Sequence, residues 1–219
     1  MEKESSRSFD SNWRKRLKDY PQSLEYQKNL NLLKEEIDKT LPKTKPKKKL
    51  VFVFMGIPGS GKSTIAQIIK ESIHPSVILH SDWIFFEKLK NQIEDDYYKA
   101  YVYQEELARQ YLKDDYSVIM DENNRTVKNR SEIYKWAKQY GAQPILVKID
   151  VYLRKAAERL TLKGKEIKTK VEIIEGLKTF ASQTEEPTIR EGVKIIKING
   201  NKKISEIIKQ LKKDFSSLN

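Results

Sequence analysis

Residues 51–64 read Val51-Phe52-Val53-Phe54-Met55-Gly56-Ile57-Pro58-Gly59-Ser60-Gly61-Lys62-Ser63-Thr64, and their order decides the fold. Gly56 to Ser63 fit the phosphate-binding loop pattern G-x-x-x-x-G-K-[ST]. Ahead of it, the apolar run Leu50 to Met55 predicts a buried strand. Behind it, Ile65, Ile68, Ile69 and Ile73 recur at helical spacing. Strand, glycine loop and helix in that order suit an anion. Glycines let backbone N–H groups curl around phosphate oxygens, and the new helix aims its positive end at them. Gly56, Pro58, Gly59, Ser60, Gly61, Lys62, Ser63 and Thr64 are therefore the expected ATP-binding segment. Lys62 can reach the β- and γ-phosphates, and the Ser63 hydroxyl can ligate Mg²⁺.

Outward from this loop, apolar strands alternate with amphipathic helices. Val77 to Leu79, Tyr116 to Met120, Pro144 to Ile149 and Val193 to Ile198 read as further strands. Near-continuous apolar strands with helices between them predict an α/β, three-layer P-loop fold. It has about five parallel strands with helices on both faces. The segment from Arg159 to about Gln183 suits a helical lid, with an apolar stripe of Val171, Ile174, Leu177 and Ala181. Residues 1–48 form a helical N-terminal extension with a basic linker, and residues 49–219 the kinase domain. Within the extension, Pro21 separates a short helix carrying Trp13 and Leu17 from a longer one. That longer helix shows one stripe of Leu30, Leu33, Ile37 and Leu41. The stripe most simply docks on the domain that follows. A partner-binding or self-association arm is the alternative.

Composition narrows the classes. The chain has 219 residues and no cysteine, which excludes disulfides and cysteine metal sites. Its two histidines, His74 and His80, are too few for a histidine-rich metal site. No apolar stretch approaches a membrane span and no secretory leader is read, so a cytoplasmic location is expected. The formal net charge of +12 admits nucleic acid as a partner. The lysines are scattered apart from Lys43 to Lys49, which fits a solvated basic surface equally well.

Ligands of parallel sheets sit at the carboxyl ends of the strands. The second strand ends in Ile78-Leu79-His80-Ser81-Asp82 and the third in Val118-Ile119-Met120-Asp121. A kinase needs one carboxylate to orient or deprotonate the attacking hydroxyl and another to hold Mg²⁺. Asp82 and Asp121 are the candidates, although Asp82 could instead cap the next helix. Tyr97, Tyr98, Tyr101 and Tyr103 crowd one helix; such residues are core and groove lining more often than base-stacking platforms. Asn199-Gly200-Asn201 follows the last strand as an adenine-side turn or a simple one.

These motifs together, GIPGSGKST, HSD and VIMDENN with Arg130 following, resemble a group of P-loop kinases. The group includes phage polynucleotide 5′-kinase, zeta-toxin kinases, chloramphenicol phosphotransferase and seryl-tRNA kinases. The resemblance covers about residues 49–215. It implies Asp82 as the base on the acceptor hydroxyl, and Asp121 and Asn123 as contacts to substrate or metal, with Arg130 nearby on the substrate side. It also implies Arg159 and Lys163 as a lid pair that clamps the phosphates. Polynucleotide-acting relatives carry arginine three residues after the base, where this chain has Phe85. Lys163 stands where arginine is usual, which keeps charge but loses the forked geometry. Glu185 to Gly192 resembles a recurring element of no derivable role. The expected activity is transfer of the ATP γ-phosphate, with Mg²⁺, to a hydroxyl of a small metabolite, sugar or drug. A polynucleotide 5′-hydroxyl is the alternative acceptor, favoured by charge and disfavoured by Phe85. A nucleotide-dependent switch ranks last.

Overall fold

A computed structural model describes residues 12–89, 96–162 and 169–216. Its centre is a sheet of five parallel strands: β1 (Leu50–Met55), β2 (Ser76–Leu79), β3 (Ser117–Met120), β4 (Gln143–Asp150) and β5 (Lys194–Asn199). Their order is β2-β3-β1-β4-β5, so the glycine-loop strand lies in the middle. Every residue of β1 is buried, which is why its sequence is an unbroken apolar run. Alternation divides it between two cores. Val51, Val53 and Met55 face one, while Leu50, Phe52 and Phe54 face the other.

The second of these cores is closed by α3 (Lys62–Ser72) and α8 (Ile204–Ser216) through Ile65, Ile69, Ile207, Leu211 and Phe215. The first is closed by α4 (Tyr97–Lys113) and α5 (Val127–Gln139), with α2 (Leu24–Asp38) of the N-terminal extension behind α4. Tyr26, Leu30, Leu33 and Ile37 of α2 belong to that same core cluster, so extension and sheet share one hydrophobic interior. Tyr26 stacks on Tyr103 of α4 with ring centroids 4.6 Å apart, and Tyr20 donates to or accepts from the Tyr103 hydroxyl at 2.8 Å. Leu33→Ala is expected to cost about 2–5 kcal/mol of stability, read by urea unfolding. A shift of only a few tenths would mean that the extension is loosely held.

The remaining helices, α6 (Leu153–Leu162) and α7 (Lys170–Ser182), pair with each other over the carboxyl end of the sheet. Their small core joins Ala156 and Ala157 to Ile173 and Leu177, with Ile57 of the glycine loop against it. The stripe read from sequence differs here. Val171 is 69% exposed, and Ile173, not Val171 or Ala181, is the buried partner of Leu177. Ile173 and Ile174 are adjacent, so a 3.6-residue period admits two stripes, and contact with the two alanines of α6 selects one. Lys163, read as the second lid cation, lies outside the described residues. No described helix is long and apolar enough to cross a membrane.

Candidate active site

The parallel order places three loops at one edge: the turn after β1, the turn after β2 and the turn after β3. The glycine loop leaves β1 at Met55 and enters α3 at Lys62. Gly59 and Gly61 have φ of +76° and +99°, a region L side chains rarely adopt. A Cβ at Gly59 would also stand 2.5 Å from the Ala156 carbonyl oxygen. Helix α6 therefore rests directly on the loop, and only glycine fits between them. Lys62 turns its Nζ back to the carbonyls of Gly56 and Ile57 at 3.0 and 3.2 Å. Ser63 and Thr64 stand exposed on the first turn of α3. The Ser60 hydroxyl is buried and has no hydrogen-bond partner.

Arg159 of α6 reaches this loop from outside. Its Nη1 donates to the carbonyls of Gly59 and Ser60, at 3.2 and 3.0 Å, and its Nη2 to that of Gly200 at 3.0 Å. It therefore ties the glycine loop to the turn after β5, where Asn199 and Asn201 bond to each other. The resemblance implies Arg159 as a clamp on the phosphates; in this structure its guanidinium meets the loop itself. Its donors serve backbone carbonyls on both turns.

Asp121 and Asp82 leave neighbouring strands, since Leu79 pairs with Met120. Asp121 is buried, and neither carboxylate oxygen has a hydrogen-bond partner. His80 Nε2 lies 3.7 Å from Oδ2. A buried carboxylate with both oxygens unanswered is costly unless something arrives to answer it. Beside a glycine loop and an exposed Ser63, a hydrated divalent cation fits that need. Asn123 likewise holds a buried, unpartnered Oδ1.

Asp82 precedes a six-residue π-helical turn, Trp83–Lys88. It occupies the capping position, yet its side chain accepts no N–H from that turn. The carboxylate instead accepts the Tyr97 hydroxyl, which also meets Ser81 Oγ at 2.6 Å. Burial first, then the nearby Glu122 charge, raises the Tyr97 pKa well above its ordinary value, so Tyr97 stays a donor. Glu122 sits behind this pair, accepting the Ser81 N–H at 2.7 Å and Gln104 Nε2 at 3.1 Å. Burial pushes the Glu122 carboxyl up to about 7, with His80 opposing and Asp82 adding to the rise.

Two residues expected at the acceptor lie elsewhere. Arg130 is fully buried, and its guanidinium forks onto Glu191 at 2.9 and 2.7 Å. Its Nη1 also holds the carbonyls of Asn124 and Arg125. Arg130 is thus a strut beneath the turn after β3, not a substrate contact, because its ion pair consumes the charge. The same pair accounts for the segment around Glu185 to Gly192. Glu191 receives Arg130, and Glu185 accepts the Val127 N–H at the start of α5. Arg130→Met is expected to lower stability by about 3–5 kcal/mol, because it strands the buried Glu191 carboxylate. Denaturant unfolding at neutral pH checks this. Burial raises the Glu191 pKa, but the Arg130 hydrogen bonds and charge outweigh it and the net value is lowered. The pair's contribution is therefore complete above the ordinary carboxylate range and is lost as pH falls through the lowered value.

Phe85 is the other correction. It is buried in the core beneath Phe86 and Tyr97, with ring centroids 4.9 and 5.2 Å away. It fills the first core instead of lining an open pocket, so an arginine put there would be buried without a partner. Sequence reasoning also passed over Glu122, which stood as the unassigned middle of Asp121-Glu122-Asn123. It gave Tyr97 and Tyr101 no place beside Asp82. Their spacing of four on one helix face, following a strand-end aspartate, is the signal that could have found them.

Loop, strand ends and strand order define a P-loop kinase-type nucleotide-binding domain. The chain belongs to the family described as an AAA domain, whose model matches residues 51–186. Among curated proteins it is similar to the mouse 2′,3′-cyclic-nucleotide 3′-phosphodiesterase, 31% identical over 100 residues, 45% of this chain and 23% of that one. It is also similar to the adenylate kinase isoenzyme 6 homolog of Plasmodium falciparum, 36% identical over 78 residues, 30% of this chain and 42% of that one. The chain thus spans less than half the length of either relative. A solved chain from the PezAT chromosomal toxin-antitoxin system of Streptococcus pneumoniae shares the fold. Its TM-score is 0.59 at 15% identity, over 98% of this chain and 95% of that chain.

Proposed function

We propose that the protein is an ATP-dependent kinase that transfers the γ-phosphate to a hydroxyl of a small-molecule acceptor. One observation carries the reading. Two carboxylates of different environment follow the two strands on one side of the glycine-loop strand, Asp121 buried and unpartnered and Asp82 held by a tyrosine hydroxyl. That division suits one cation-holding and one base role. In this reading the loop amides and Lys62 bind the phosphates. Ser63 and Asp121 would hold Mg²⁺, which neutralises charge on the transferring group when bound. Asp82 orients the acceptor hydroxyl and takes its proton. Arg159 keeps the loop in its phosphate-ready shape through the carbonyls of Gly59 and Ser60.

The acceptor side favours a small molecule. The position that would hold a polynucleotide phosphate is Phe85, sealed in the core. The exposed ring nearest to it is Phe86, which packs on Phe85 at 4.9 Å. The +12 charge is spread over the surface and would give salt-sensitive, non-specific binding to nucleic acid. The test is incubation with labelled ATP and a panel of 5′-hydroxyl oligonucleotides, nucleosides, amino sugars and aminoglycosides. Label in a small acceptor supports the proposal. Efficient labelling of oligonucleotides at physiological salt would install the polynucleotide alternative, and label released only as free phosphate would leave a nucleotide-driven switch.

A further inference from the structure

The N-terminal extension touches the proposed acceptor base through a chain of contacts that no motif announces. Its first described helix, α1 (Trp13–Arg16), is four residues long. A helix that short has no stability of its own, so docking holds it in place. Trp13 and Arg16 anchor it to the start of α4, beside Asp82. Trp13, 3% exposed, stacks on Tyr101 and Tyr98 of α4, with ring centroids 5.6 and 6.3 Å apart. Arg16 pairs with Asp96, the residue whose side chain caps α4 by accepting the Tyr98 N–H at 3.0 Å. Arg14 pairs with Glu105 further along α4 and donates to Asn129 of α5 at 2.8 Å. Asn129 in turn lies 3.4 Å from Asn124 Oδ1, in the turn after β3.

Tyr101 meets Tyr97 edge-on at 5.4 Å, and Tyr97 gives its hydroxyl to Asp82. Tyr97 is the first residue of α4, immediately after the Asp96 cap that Arg16 holds. A first helical turn frays unless its cap is fixed. The Asp82 backbone is held, its N–H donating to His80 Nδ1 at 3.1 Å, but its side chain makes no cap and accepts the Tyr97 hydroxyl instead. The orientation of the Asp82 carboxylate therefore depends on Tyr97. Phe85, Phe86 and Ser81 hold Tyr97 from the side of the turn after β2, and its cap and the Tyr101 ring hold it from the other, the side on which α1 packs.

We infer that α1 is a clip that sets the acceptor base, with Trp13 as a positioning residue that acts on Asp82 through Tyr101 and Tyr97. The inference rests on the kinase reading for the meaning of Asp82 but not for the geometry. Transfer to the acceptor found in the panel above tests the first part. Trp13→Ala should lower kcat by about a hundredfold, the cost of a misplacement of roughly 1 Å, and leave the KM for ATP within about twofold. Trp13→Phe, which keeps a stacking ring, should recover most of the loss. Leu33→Ala is the control. It weakens the same extension through α2 and not through the stack of Trp13, Tyr101 and Tyr97, so it should lower stability and keep kcat. The second part is read by fluorine NMR of the full chain carrying 3-fluorotyrosine, with Tyr97→Phe and Tyr101→Phe assigning their signals. Trp13→Ala should move both signals and leave that of Tyr134 in place. An unmoved Tyr97 signal, or a kcat loss no larger than in Leu33→Ala, overturns the inference. If the wild-type protein phosphorylates nothing, the kinase reading falls, and the Tyr97 signal alone decides whether α1 orders that hydroxyl.

Discussion

Lys62→Ala is expected to abolish phosphoryl transfer and leave the melting curve nearly unchanged. The side chain begins α3 and reaches back over its own loop, where its Nζ bonds to the carbonyls of Gly56 and Ile57. Those carbonyls lie at a solvent-facing loop, so truncation opens no core cavity. Bound phosphates would draw the ammonium off the two carbonyls and onto the β- and γ-oxygens. There, in the proposed reading, it stabilises charge that develops during transfer. Such a group is worth several kcal/mol, so the rate should fall by about a thousandfold or more. Labelled-ATP transfer and a thermal melt on the same preparation make the check. Turnover retained within about tenfold of the wild type would remove Lys62 from the mechanism, and a collapsed melt would show it to be structural.

What was legible in the sequence follows from which forces act alone. The strands of this sheet could be read because a central parallel strand is buried on both faces, and only an apolar run such as Leu50 to Met55 satisfies that. The glycine loop could be read because φ of +76° and +99° leaves few residue choices. The candidate site was legible where chemistry sits at a strand end, as with Asp82 and Asp121. It was not legible where tertiary contact decides a residue's role. Arg130 looks the same in sequence whether it meets a substrate or a glutamate 61 positions later, and the structure gives it Glu191. Phe85 stands at a substrate position by resemblance but faces the core, because the turn Trp83–Lys88 is wound more loosely than an α-helix and its register cannot be read from a 3.6-residue period. Ile173 took the buried place expected of Val171, with Ile174 packed partly buried beside it, for a similar reason. Trp13 joined the site only through stacking across some 85 residues of chain, from Trp13 to Tyr98, and no local pattern carries that information.

Asp82→Asn separates the base reading from its rivals, and its expected effect is a loss of transfer with ATP affinity intact. The exchange is conservative at this position. The asparagine Oδ1 can still accept the Tyr97 hydroxyl, and no helix cap is lost, because the Asp82 side chain caps nothing. Stability should therefore change little. What disappears is the capacity to take a proton from the acceptor, a contribution of about a hundredfold to ten-thousandfold in kcat. In the proposed reading ATP contacts the glycine loop and Lys62 and not Asp82, so its dissociation constant should hold within about twofold. Equilibrium binding of a fluorescent ATP analogue and kcat with the identified acceptor measure the two quantities separately. Weakened nucleotide binding at unchanged stability would make Asp82 a cation ligand and shift the base role to another group of the same edge. Unchanged kcat would mean that the acceptor hydroxyl loses its proton without help from this carboxylate. Since Asp121 offers two buried oxygens with no hydrogen-bond partner, Asp121→Asn should show the opposite split. It should weaken ATP binding in the presence of Mg²⁺ and leave binding without the cation unchanged. Observing that pair of opposite responses would assign the two carboxylates independently of the acceptor's identity.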